Sequence, residues 1–243
     1  MKTFSQFTIL ILLLSAPTTF GADKDDSACV ILLHGLYRSG YSMKAVEWRL
    51  EADYHVVNIS YPSISFPIEE LAETAIEEGL AGCRLAGLDT IHFVTHSLGG
   101  ILVRQYLAHS EIPELGRVVM MGPPNQGSEL AANLIDNQLL DIFLPIAATQ
   151  LAAGTESLPV RLGPVAYPVG IIAGSNNNRP WTPSSPNGPS DGTVLVEETR
   201  VTGMTDFITV PASHSFLMWH NSVLEQVAHF LSYGSFRRTG EEE

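Results

Sequence analysis

The sequence predicts an α/β fold, a mostly parallel sheet flanked by helices on both faces with a small helical insertion. Short apolar runs of strand character alternate with stretches of helical spacing along most of the chain, and this alternation is the pattern of a parallel sheet with helical crossovers. The first of these runs, residues 30–33, is continuously apolar, as in a strand covered on both faces. With 45% hydrophobic and 16% charged residues in a length of 243, the composition suits one domain with a substantial core.

The elements follow in order. Residues 30–33 are a continuous apolar run, and Met43, Val46 and Leu50 come next at helical spacing. The stretch HVVNISY repeats the strand signal. Ile68, Leu71, Ala72, Ala75, Ile76 and Leu80 then mark one face of a helix that begins after Pro67. TIHFV, a helix after Gly99, and GRVVMMG continue the rhythm. VAYPVGIIAG and DFITVPA are the last two predicted strands, and Val223, Leu224, Val227, Ala228 and Leu231 form the apolar face of a closing helix.

Two stretches break the rhythm. Residues 128–164 are helix-prone around the apolar centre LLDIFLPIAA, and two readings fit them: a small cap over the site, or a longer crossover with its apolar face in the core. Residues 175–192 are almost all turn chemistry and read as a surface loop.

The ends read differently from the body. Lys2, the apolar residues 7–16 and the small Thr19 and Gly21 have the order of a signal peptide over residues 1–21, with the mature chain starting near Ala22. An uncleaved anchor is the alternative, but about ten apolar residues fall short of the ~20 that span a bilayer. The domain then covers 22–236, and 237–243 is expected to be a disordered tail. Export, to a periplasm or the medium, makes the two cysteines, Cys29 and Cys83, candidates for a disulfide; a pair of buried free thiols is the other reading. Their spacing to other Cys and His residues does not suit zinc. The formal net charge of −13 repels phosphate backbones and anionic lipid headgroups, so nucleic acid is not expected as a partner, and stable membrane insertion is not expected because polar residues or prolines interrupt every later apolar run. Oligomeric state is left open.

The chemistry concentrates at strand ends. TIHFV runs into THSLGG, residues 95–100, and then a helix, so Ser97 stands where a nucleophile elbow would put it, with Gly99 two residues on. Where the G-x-S-x-G pattern has its first Gly, this chain has Thr95; an ordinary helix-capping serine is the alternative reading. An acyl-transfer site also needs two N–H groups aimed at the developing oxyanion. Leu98, directly after Ser97, supplies one candidate, and Leu36, after His34 and Gly35 at the end of the first strand, supplies the other. His34 is expected to brace that turn by hydrogen bonding. The acid is expected at Asp191 in PSDGTV, with Asp206 as its rival at the opposite edge of the sheet, and the base at His214 in the loop after the last strand. His220 and His229 are expected at the surface, and His55, His92 and His109 lack such a loop.

LLHGL, THSLGG, MGPPNQGS, PSDGTV and PASHS together resemble the α/β-hydrolase family, in its bacterial lipase and esterase branch, over nearly the whole mature chain. Similar bacterial lipases also carry Thr in place of the first elbow Gly. The resemblance implies carboxylic-ester hydrolysis through an acyl-enzyme on Ser97, with neither a metal nor an organic cofactor. Acyl transfer by the same triad and a non-catalytic binding protein that retains the fold are the alternatives. The substrate is expected to be a small-molecule or lipid ester, and LLDIFLPIAA is expected to wall the site and favour short to medium acyl chains.

Overall fold

The computed structural model describes residues 28–129, 145–177 and 188–238. Within them a six-stranded, wholly parallel sheet runs in the order β2-β1-β3-β4-β5-β6. The strands are β1 (Ala28–Leu33), β2 (His55–Ile59), β3 (Thr90–His96), β4 (Leu115–Met121), β5 (Val169–Gly174) and β6 (Asp206–Val210). The helices are α1 (Lys44–Leu50), α2 (Ile68–Leu85), α3 (Leu98–Leu107), α4 (Ile146–Gln150), α5 (Leu158–Arg161) and α6 (Asn221–Tyr233).

The apolar continuity of β1 has a direct cause. Cys29, Ile31 and Leu33 point into the core that packs α2 and α3, whereas Ala28, Val30 and Leu32 point into the core that packs α1 and α6. A strand whose side chains alternate between two buried faces must be apolar at every position. Cys29 pairs in register with Ile91 of β3, and Cys83 lies on the buried face of α2 above it. The two cysteines are joined in a disulfide, with Cα atoms 5.7 Å apart, which ties α2 to the sheet beneath it.

Residues 128–164 are described in part. Ser128 N–H donates to Leu151 O, and Ala153 N–H donates back to Ser128 O. Ala147, Leu151 and Leu158 join the core on the α2 and α3 face, so the described part of this stretch is a crossover packed into the core. Of LLDIFLPIAA, residues 139–144 lie outside the described residues, and Ala147 is taken up by the core instead of walling the site. Arg104 of α3 secures the crossover: its buried guanidinium donates to Asn125 O and Oδ1, Pro159 O and Gly163 O. Four acceptors on its two terminal nitrogens offset the cost of burying this charge.

The proposed leader, residues 1–21, lies outside the described residues, as do 178–187 of the turn-rich loop and 239–243. Of the predicted tail, residues 237 and 238 are described. Arg237 exchanges hydrogen bonds with the Gln226 side chain on α6, and Arg238 pairs with Asp206. No described helix is long and apolar enough to cross a membrane.

Candidate active site

Because every strand is parallel, the loops that follow β1, β3, β5 and β6 gather at one edge of the sheet, the carboxyl edge where α/β folds place their sites. Ser97 stands between β3 and α3 with φ 53° and ψ −118°, a conformation that a non-glycine residue adopts only under constraint. The constraint is visible. Ser97 N–H donates to Met121 O at 2.9 Å, and Ser97 O accepts from Gly100 N–H at 3.0 Å. Gly99 is required by crowding, since a Cβ there would lie 2.7 Å from Leu33 O and 2.9 Å from His34 O. Thr95 does not obstruct the elbow: its side chain is buried in the sheet and its hydroxyl donates to Val119 O.

The side chains of Ser97, His214 and Asp191 meet in a line. Ser97 Oγ lies 3.0 Å from His214 Nε2, and His214 Nδ1 lies 2.7 Å from Asp191 Oδ2. Asp191 is 1% exposed, and its other oxygen accepts N–H bonds from Thr193 and Val194. Those bonds make Oδ2 the oxygen that faces the imidazole. His214 N–H also donates to Asp191 O, so backbone as well as side chain fixes the base against the acid. In this geometry the Asp191 carboxylate selects the tautomer with the proton on Nδ1, which leaves Nε2 free to accept from the serine hydroxyl.

The loop after β1 lies against this line. A Cβ on Gly35 would stand 2.8 Å from His96 Nδ1 and 3.1 Å from Ser97 Cβ, so only glycine lets the loop come this close. Arg38 N–H donates to Gly35 O and closes a turn in which Tyr37 has φ 58°. Tyr37 and Ser97 are the non-glycine residues with positive φ among those described, and both belong to this site. Leu36 lies in the turn and Leu98 opens α3, where first-turn N–H groups have no intrahelical acceptor. His34 braces the turn. Its Nδ1 bonds Gly35 O, its Nε2 accepts from Tyr61 N–H, and its ring stacks on Tyr61 with centroids 4.0 Å apart. Both ring nitrogens are thereby used, and burial holds its pKa down.

Asp206 sits at the start of β6, at the far edge of the sheet, where it accepts from Phe207 and Phe236 N–H groups and pairs with Arg238. His220 and His229 are half-buried at the start of α6 and on it, and His92 accepts Arg117 N–H inside the sheet. Two braces escaped the sequence reading. His96 is buried beneath the site and its Nε2 bonds His214 O at 3.0 Å. Burial and the nearby His214 press its pKa well below the usual imidazole value, so it stays neutral. Glu198 is also buried and accepts N–H bonds from Glu129 and Leu195, linking the segment that follows β4 to the loop that carries Asp191. Its position within THSLGG could have marked His96; nothing in the sequence marks Glu198. Among the described residues, no group of three or more His, Cys, Asp or Glu side chains converges so as to hold a metal ion.

A strained serine thus stands between a strand and a helix, hydrogen-bonded through histidine to a buried carboxylate at the carboxyl edge of a parallel sheet. The model of the Alpha/beta hydrolase family matches residues 30–230, and the chain belongs to that family. Among solved structures it resembles the mature form of the Bacillus licheniformis lipase BlEst2, at 18% identity and a TM-score of 0.69, over 85% of this chain and 93% of that one. The product of lin2722 from Listeria innocua aligns at 15% identity and a TM-score of 0.60, over 89% and 97% of the two chains. A thermophilic esterase of Thermogutta terrifontis aligns at 13% identity and a TM-score of 0.56, over 86% and 91%. No curated protein matches the sequence.

Proposed function

We propose that the protein is an exported serine hydrolase that cleaves carboxylic esters through an acyl-enzyme on Ser97. The single observation that carries this reading is the hydrogen-bonded line from Asp191 through His214 to Ser97. In this mechanism His214 takes the hydroxyl proton as Ser97 Oγ attacks the ester carbonyl, and the N–H groups of Leu36 and Leu98 receive the oxyanion. Asp191 stabilises the imidazolium that forms. His214 then gives its proton to the leaving alcohol, and water attacks the acyl-enzyme by the same relay in reverse. Small soluble esters are the substrates the acidic surface favours, since a net charge of −13 offers no attraction to anionic membranes. Export is supported by the leader-like residues 1–21 and by the bridge between Cys29 and Cys83, a bond that persists in oxidising compartments.

The test is hydrolysis of an activated nitrophenyl ester by the mature protein and by Ser97→Ala. The variant is expected to lose at least about a thousandfold in kcat while retaining its fold, because only binding and the oxyanion hole remain. Retained turnover would remove Ser97 from the mechanism.

A further inference from the structure

Beside the proposed catalytic residues the surface opens into a groove of about 560 Å³, whose walls include Tyr37, Arg38, Tyr41, Phe216, Met218 and Trp219. Both walls continue the site along the chain. Tyr37 and Arg38 directly follow Leu36, and Phe216 stands two residues after His214 in the turn that His214 opens. Tyr37, Tyr41 and Phe216 are 61%, 72% and 64% exposed, so the groove presents apolar area to water that an apolar ligand would cover.

The groove carries one charged side chain, Arg38. Its Nη2 donates to Ser215 Oγ at 2.9 Å, which steadies the guanidinium between the two walls. Lys44, Arg49, Arg84, Arg200 and Arg238 each pair with a carboxylate, whereas Arg38, like Arg104, Arg117 and Arg161, has no carboxylate partner among the described residues, and of these four only Arg38 lines the groove. In a chain with 26 Asp and Glu against 13 Lys and Arg, an arginine left without an acid at the mouth of a site leaves its charge to a ligand. That charge also reaches inward, where it disfavours protonation of His96.

We propose that this groove binds the alcohol part of the ester and selects an aromatic or otherwise apolar alcohol bearing one carboxylate, which pairs with Arg38. This rests on the reading of Ser97 and His214 given above. The alcohol is assigned because His214 delivers its proton to the leaving oxygen, so the alcohol departs on the side of the residues that follow His214. A single negative charge is assigned because one guanidinium offsets one, and the net charge of −13 opposes ligands with more. The planar guanidinium can take a carboxylate through two N–H bonds, and the flanking rings can pack an aromatic ligand.

The experiment compares kcat/KM for para-acetoxybenzoate and its neutral methyl ester, in the mature protein and in Arg38→Gln and Arg38→Lys. A second pair, mono-para-nitrophenyl adipate and its methyl ester, carries the charge on the acyl side instead. In Arg38→Gln the preference for the anionic member of the acetoxybenzoate pair should fall about tenfold or more, mainly through KM, as expected for loss of a charge-assisted bond. Arg38→Lys should restore part of it, and the adipate preference should move less than about threefold, since its charge lies outside Arg38's reach in this assignment. An unchanged preference in the acetoxybenzoate pair, or a shift confined to the adipate pair, would overturn the proposal. Neutral esters judge the catalytic reading separately: if the mature protein hydrolyses them and Ser97→Ala does not, that reading stands whatever Arg38 does. Absence of turnover on every ester would sink both.

Discussion

His96 Nε2 lies 3.0 Å from the carbonyl oxygen of His214, so the residue before the proposed nucleophile holds the backbone of the proposed base. The two rings also meet, tilted, with centroids 4.7 Å apart. His96→Phe keeps a ring in the buried space and removes the donor. Small displacements of a catalytic group are costly, so kcat on an activated ester should fall between about tenfold and a hundredfold with little change in KM. His96→Asn, which keeps an N–H donor, should recover part of the loss. A kcat unchanged in His96→Phe would show that the bond does not position the base.

The same burial makes stability depend on pH. His34 and His96 both have pKa values lowered from 6.5 in the folded chain. Below that value the unfolded chain binds protons on these residues that the folded chain refuses, so stability falls as pH drops below 6.5. Each group contributes up to about 1.4 kcal/mol per pH unit until its folded pKa is reached. Urea denaturation at a series of pH values from 7 to 5 should show a shallower decline in His96→Asn than in the parent. Parallel curves would argue against the buried, neutral His96.

Asp191 and Asp206 should separate cleanly. Asp191→Asn keeps the shape of the acid but loses the charge that faces His214 Nδ1, and kcat should fall by at least about a hundredfold. Asp206→Asn weakens the bonds to Phe236 N–H and Arg238 at the far edge of the sheet, so it should lower thermal stability and leave kcat within about fivefold. The reverse ranking would transfer the acid to Asp206.

The bridge between Cys29 and Cys83 closes a span of 54 residues around β2 and most of α2. Constraint of the unfolded chain by such a loop is worth on the order of 2 to 4 kcal/mol. Reduction of the protein, or the double replacement Cys29→Ala and Cys83→Ala, should lower the melting temperature measurably. Two freely titrating thiols in the native protein would contradict the bridge.

The strands β1 and β5 were readable because each is short, apolar throughout and buried on both faces, and α2 was readable because its apolar residues repeat at helical spacing on one face. The positions of Ser97, Asp191 and His214 were readable for a related reason: a parallel sheet sends the ends of β3 and β6 and the loop after β5 to one edge. Thr95 was less so, because whether a threonine fits the elbow depends on finding Val119 O for its hydroxyl in the neighbouring strand. The role of residues 128–164 was undecided for the same kind of reason, since an apolar face fits a cap or a core equally until its neighbours are known.

By itself, then, the sequence determined the layered α/β architecture, the edge at which the site forms and the chemical types that meet there, because periodicity and strand-end position are local properties of the chain. Only the tertiary structure decided what braces those groups. His96 reaches His214 across 118 residues and Glu198 reaches Glu129 across 69, and neither partner leaves a trace near the other in sequence. The tertiary structure also decided that Arg38 meets Ser215 and no described carboxylate, whereas Arg49 and Arg84 are each brought beside one. Hydrogen-bond partnership and charge pairing fall off within a few ångströms, so they belong to the folded arrangement and not to the order of residues.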